Sequence, residues 1–242
     1  MKGLKVYHLL VLVVMALCLV STQANAQVTY YFGSDSTFGT PPQWGGVAPT
    51  GTWATAEFID LGTDNVQLTL NVTNNLNPTE FIGEFYFNSI MSTSLLTFTA
   101  QAGGGSYADI QKGNNSYQAD GDGLYDLLFD FPPFPGPGAD KNAFTAGEFV
   151  IYNITGTGVS ASNFYDISVP GTGSNGPFYA AAKLQGIDCD EVNYSECAAQ
   201  GGTTSAWSAG VVPEPISSTL FLVGAATLGY RRFRKNKNKT IA

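Results

Sequence analysis

Apolar and polar positions alternate along most of the middle of the chain. Val66, Leu68, Leu70 and Val72 are interleaved with Gln67, Thr69, Asn71 and Thr73. A repeat of two puts one set of side chains on each face of a pleated strand, so these runs predict half-buried β-strands. The rhythm recurs at Phe81, Phe85 and Phe87, at Leu96, Phe98 and Ala100, at Tyr125, Leu127, Phe129 and Phe131, and at Phe178, Ala180, Ala182 and Leu184. Shorter candidates fall at 28–32, 53–59, 149–154 and 164–169. Turn-forming clusters such as Gly103-Gly104-Gly105 and Pro132-Pro133-Phe134-Pro135-Gly136 separate them. Eight to ten short strands without an amphipathic helix predict an all-β fold, an antiparallel β-sandwich of jelly-roll-like or Ig-like kind, with a closed barrel as the alternative. The body is expected to span 27–197, followed by a Gly/Ser-rich linker at 198–210.

Both ends break the alternation. Lys2 and Lys5 precede a nearly unbroken apolar run from Val6 to Val20, and Ala24-Asn25-Ala26 follows, with small residues at the positions a signal peptidase reads. Residues 1–26 are therefore expected to be a signal peptide, cleaved between Ala26 and Gln27. At the other end Val212-Pro213-Glu214-Pro215 leads into the apolar segment 216–230, and then into Arg231, Arg232, Arg234 and Lys235. As a helix that segment would span about 22 Å, short of the ~30 Å hydrocarbon core, so this transmembrane helix would depend on its flanking arginines snorkelling. Residues 236–242 are expected to stay cytoplasmic with the basic cluster.

Composition changes the picture in two ways. From Gln27 to Val212 eighteen acids face three lysines, Lys112, Lys141 and Lys183, a net of −15 hidden by the whole-chain value of −8. Such a body is repelled by phosphate backbones, which excludes nucleic acid as a partner. The chain's one histidine, His8, belongs to the expected leader, so the mature body has no histidine for a catalytic triad or a zinc site. Cys189 and Cys197, with seven residues between them in an exported chain, are expected to form a disulfide.

The C-terminal arrangement of Val212, Pro213, Glu214 and Pro215, a short apolar span and an arginine cluster resembles the PEP-CTERM sorting signal (211–235) of exopolysaccharide-producing Gram-negative bacteria. In that family the motif is processed by exosortase, a membrane-embedded transpeptidase-like enzyme. The resemblance implies an exported protein, transiently anchored in the inner membrane and then delivered to the cell surface or extracellular matrix. The phrases 84–88, 120–126 and 181–186 also look like those of exported PEP-CTERM bodies, which generally have no assigned activity.

No assembled catalytic constellation is legible, and the expected role is structural or adhesive, in exopolysaccharide or biofilm. Asp120, Asp122 and Asp126 resemble half a calcium loop, but Gly123-Leu124-Tyr125 interrupts the ligand order, so a tight turn feeding a strand competes with calcium as the one candidate cofactor. Gly171-Thr172-Gly173-Ser174-Asn175-Gly176 has nucleotide-loop spacing but precedes Pro177 and a strand, so it reads as a loop. Trp44, Trp53, Trp207, Tyr30, Tyr31, Tyr107 and Tyr117 could stack on sugar rings, which makes a polysaccharide-binding module the alternative function. A carboxylate pair hydrolysing glycans is a further alternative.

Overall fold

The computed structural model describes residues 26–39, 46–103, 107–120, 123–133, 143–171, 176–189 and 202–212. Among them lie twelve strands and no α-helix. The chain divides into two units between Val212 and Pro213, and the second lies outside the described residues. So do residues 1–25, the span 216–230 and the basic cluster Arg231, Arg232, Arg234 and Lys235.

The strands are β1 (Gln27–Gly33), β2 (Thr37–Phe38), β3 (Thr52–Gly62), β4 (Asn65–Val72), β5 (Phe81–Phe87), β6 (Thr97–Gly103), β7 (Asp109–Gln118), β8 (Leu124–Asp130), β9 (Phe144–Thr145), β10 (Phe149–Thr155), β11 (Ala180–Asp188) and β12 (Thr203–Ala209). All pair antiparallel, in two sheets. One has the order β1-β3-β4-β10-β6; the other runs β2-β12-β11-β5-β8-β7, with β9 also on β5. This is the all-β, sandwich-like architecture that the alternation predicts.

Period two explains the core directly. In β4 the side chains of Val66, Leu68, Leu70 and Val72 are buried while the residues between them are only half-buried. Phe58 of β3 meets Phe87 of β5 edge-on at 5.2 Å and stacks on Phe164 at 4.4 Å. Each fully buried Phe contributes about 2–3 kcal/mol by leaving water, and offset or edge contacts add to this. Tyr30 belongs to the same core, and its hydroxyl donates to the Phe164 carbonyl at 2.6 Å, so its one polar atom is satisfied. Burial, then the neighbouring Tyr165, Tyr179 and Asp166, push the Tyr30 phenol far above its ordinary range.

The β3–β4 hairpin turns through Thr63-Asp64, with Asp64 at φ 61°, a conformation Asp tolerates better than most residues. Its Oδ1 also accepts the Gly158 amide at 2.6 Å, tying that turn to the loop after β10.

Two expectations are corrected. The 198–210 linker contains β12: Thr203–Ala209 pairs with β11 and β2, and Ala206, Trp207, Ser208 and Ala209 are buried. Small residues there pack against close neighbours instead of spacing the body from the motif. Continuing past it, Val211 exchanges backbone hydrogen bonds with Tyr31 in both directions at 2.9 Å, so the described body reaches Val212. Second, 164–169 is not a strand: a 3-10 turn over Ala161–Phe164 opens into a loop that touches a sheet through the Leu124–Val169 bridge. β7 (Asp109–Gln118) lies outside the strands that the alternation predicts.

Candidate functional site

Asp126 leads to the site. Its carboxylate is buried, Oδ2 accepts the Ser89 amide at 3.1 Å, and Oδ1 accepts the Asn115 amide at 2.8 Å. A carboxylate engaged by two backbone donors ties these segments together, while each of its oxygens keeps a second lone pair. Asp120 adopts φ 43°, as a turn residue would, and Asp122 lies outside the described residues. Among the described residues no three His, Cys, Asp or Glu side chains converge as a metal site requires.

Around Asp126 opens a cleft of about 660 Å³. One wall is the segment from Ser89 to Ser94, which leaves β5 and coils into a 3-10 turn over Thr93–Leu95. The other is Lys112, Gly113 and Asn114 of β7. Two further ties join wall to framework: the Thr93 hydroxyl donates to the Gly113 carbonyl at 2.7 Å, and the Lys112 ammonium donates to the Leu96 carbonyl at 2.8 Å. Ser92 and Ser94 share a hydrogen bond of 2.9 Å and are exposed. Such a cleft offers hydroxyls and an amide, groups that both donate and accept, in a lining that also includes Ile90 and Met91.

The outer face of the larger sheet carries a second polar arrangement. Register aligns Trp207, Lys183, Glu84, Asp130 and Asp109 on five adjacent strands. Lys183 pairs with Glu84 at 2.9 Å and lies 5.3 Å over the Trp207 ring, while Tyr86 donates to Glu84. Partial burial, then Glu84 and Asp109, raise the Asp130 carboxyl above its ordinary value, and Lys183 opposes this. Burial, then the bond to Glu84, raise the Tyr86 phenol.

The expected aromatic contacts divide. Trp53, Trp207 and Tyr30 are buried, Tyr117 is half-buried, Tyr31 and Tyr107 are exposed, and Trp44 lies outside the described residues. Trp53 donates from Nε1 to the Pro49 carbonyl at 2.6 Å, so it is a satisfied core residue. Sequence reasoning missed Tyr165 and Tyr179, whose rings stack at 4.4 Å within 9° of parallel. Their spacing of fourteen residues gives no local signal.

At the ends, Ala26 and Gln27 are described and Ala24 is not; β1 begins at Gln27, and the Asp60 amide donates to the Ala26 carbonyl at 3.0 Å. Val212 packs against the core, whereas Pro213, Glu214 and Pro215 lie outside the described residues. Cys189 is buried just past β11, and Cys197 lies outside them. Comparison with family models, with curated proteins and with solved structures finds no match for this chain.

Proposed function

We propose that this chain is an exported, exosortase-processed β-sandwich protein, of jelly-roll-like or Ig-like kind, with a structural or adhesive and non-catalytic role at the cell surface or in the exopolysaccharide matrix of a Gram-negative bacterium. One observation supports the reading: among the described residues, the pairing that holds the sheets lies between the two expected signals. The first strand starts at Gln27, and the last bridged residue, Val211, is two positions before Pro213. Trimming at either signal would leave every described strand intact. Signal peptidase and exosortase are the processing partners in this reading, the inner membrane is a transient station, and Cys189 and Cys197 form a disulfide in the oxidising space beyond it.

Mass spectrometry of the mature protein, taken separately from medium and from envelopes, tests it. The expected chain begins at Gln27 and ends near Pro213 to Pro215. A Pro213→Ala/Pro215→Ala variant should accumulate as an untrimmed membrane form; unchanged processing of that variant overturns the reading.

A second reading, a polysaccharide-binding module, is favoured by the hydroxyl-lined cleft beside Asp126.

A further inference from the structure

The cleft is built rather than incidental. Asp126 on β8 fixes Ser89 and Asn115, Thr93 fixes Gly113, and Lys112 fixes Leu96, so both walls are held before anything enters. A site fixed in advance avoids most of the ordering cost of binding. At about 660 Å³ it lies within the size range of small-molecule sites, yet such sites are usually lined mainly by apolar groups. Here the accessible polar groups are the hydroxyls of Ser92 and Ser94, the Asn114 amide and the Lys112 ammonium. Ile90, 64% exposed, lines the cleft and offers apolar surface to a sugar's C–H face. The matching occupant carries many hydroxyls and little continuous apolar area.

Charge narrows the class further. The buried Asp126 carboxylate and the surrounding body of net −15 disfavour an anionic polymer, against which Lys112 alone, with one donor already on Leu96, offers little compensation. We infer that this cleft binds a segment of neutral polysaccharide, with Ser92, Ser94 and Asn114 exchanging hydrogen bonds with sugar hydroxyls and Ile90 packing on a ring face. The inference deepens the second reading above and shares with the first only the premise that the body meets extracellular glycan.

Affinity electrophoresis of the full chain through native gels tests it, using dextran, hydroxyethylcellulose or galactomannan as neutral polymers and polygalacturonate as the anionic one. At least one neutral polymer should retard the protein. The Ser92→Ala/Ser94→Ala variant should weaken that retardation at least fivefold in apparent Kd with Tm unchanged, because both hydroxyls are exposed and neither ties the walls. Tyr165→Ala, which alters the stacked tyrosine pair, should leave the retardation intact. Retardation by polygalacturonate alone, no retardation by any neutral polymer, equal retardation of the serine variant, or loss confined to Tyr165→Ala would each overturn the inference. Normal trimming without glycan retardation would remove the cleft proposal alone. An untrimmed chain that still binds would remove the sorting reading alone.

Discussion

Asp126 and Ser89 lie thirty-seven residues apart, and the buried carboxylate of one accepts the backbone amide of the other at 3.1 Å. Its second oxygen takes the Asn115 amide, so a single side chain on β8 closes the base of the cleft. Asp126→Ala would leave two backbone donors without their acceptor. An unsatisfied buried donor costs about 1–3 kcal/mol, so the expected loss is about 2–4 kcal/mol in denaturant unfolding. Asp126→Asn keeps one acceptor and should lose roughly half as much. Chelation with EDTA separates the two readings of Asp120, Asp122 and Asp126: a tight turn expects an unchanged wild-type Tm, and a calcium loop expects a fall.

β12 is expected to be indispensable to the body. It pairs along its length with β11, its Trp207 ring packs with Phe38 and Tyr86 at 6.2 and 5.7 Å, and the Ser208 hydroxyl both accepts from the Gly33 amide and donates to the Gly33 carbonyl. Trp207→Ala should cost about 3 kcal/mol through lost burial and the cavity left behind. A chain ending at Gly202 should fail to give a cooperative thermal transition, whereas a chain ending at Val212 should retain the wild-type Tm. Equal stability of the two truncations would return 198–210 to the role of spacer.

What could be read from the sequence follows from which faces are dry. β4 announces itself because Val66 to Val72 bury one face and wet the other. β7 does not, since Asp109–Gln118 is polar on both faces and holds its place by pairing with β8. β12 reads as spacer because Thr, Ser and Ala carry little hydropathy, although tight sheet packing suits them. The alternation of Tyr165, Ile167 and Val169 misleads in the opposite direction: all three are exposed on a loop. The cleft was out of reach, because its walls come from 89–94 and 112–114 and its ties end on backbone atoms that no side-chain pattern encodes. Asp126 illustrates the ambiguity: a carboxylate beside glycines has the same sequence signature whether it receives a cation or two amides.

Gly186 tests the packing of β11 against the segment before β5. Its φ is +77°, in the left-handed region, and a Cβ there would drive into the Thr79 carbonyl and crowd Glu80. The register between β11 and β12 shifts at this point, as a bulge requires. Gly186→Ala combines a conformational cost of about 1–2 kcal/mol with a backbone clash, so the expected destabilisation exceeds 2 kcal/mol. Gly158 shares a positive φ of 81° but has open space around its Cβ position, so Gly158→Ala should cost only the conformational part. Measuring the two variants side by side by urea unfolding separates strain from contact; equal losses would refute the clash.

The phenols give the fold an alkaline limit. Burial pushes Tyr152 up to about 12, against a smaller lowering by the Ala108 amide that donates to its oxygen at 2.9 Å. Tyr30 and Tyr86 are raised further, by burial first. In each case the folded state holds its proton at a pH where the unfolded chain, titrating near 10, releases it. The neutral phenols therefore stabilise the fold fully below pH 10, and that contribution falls as pH rises, for Tyr152 until about 12. Each retained proton steepens the decline by about 1.4 kcal/mol per pH unit. Urea unfolding between pH 9 and 12 should show this slope, and Tyr152→Phe should make it shallower by about one proton while also losing the Ala108 hydrogen bond at neutral pH. A wild-type slope unchanged by Tyr152→Phe would mean that this phenol titrates alike in both states.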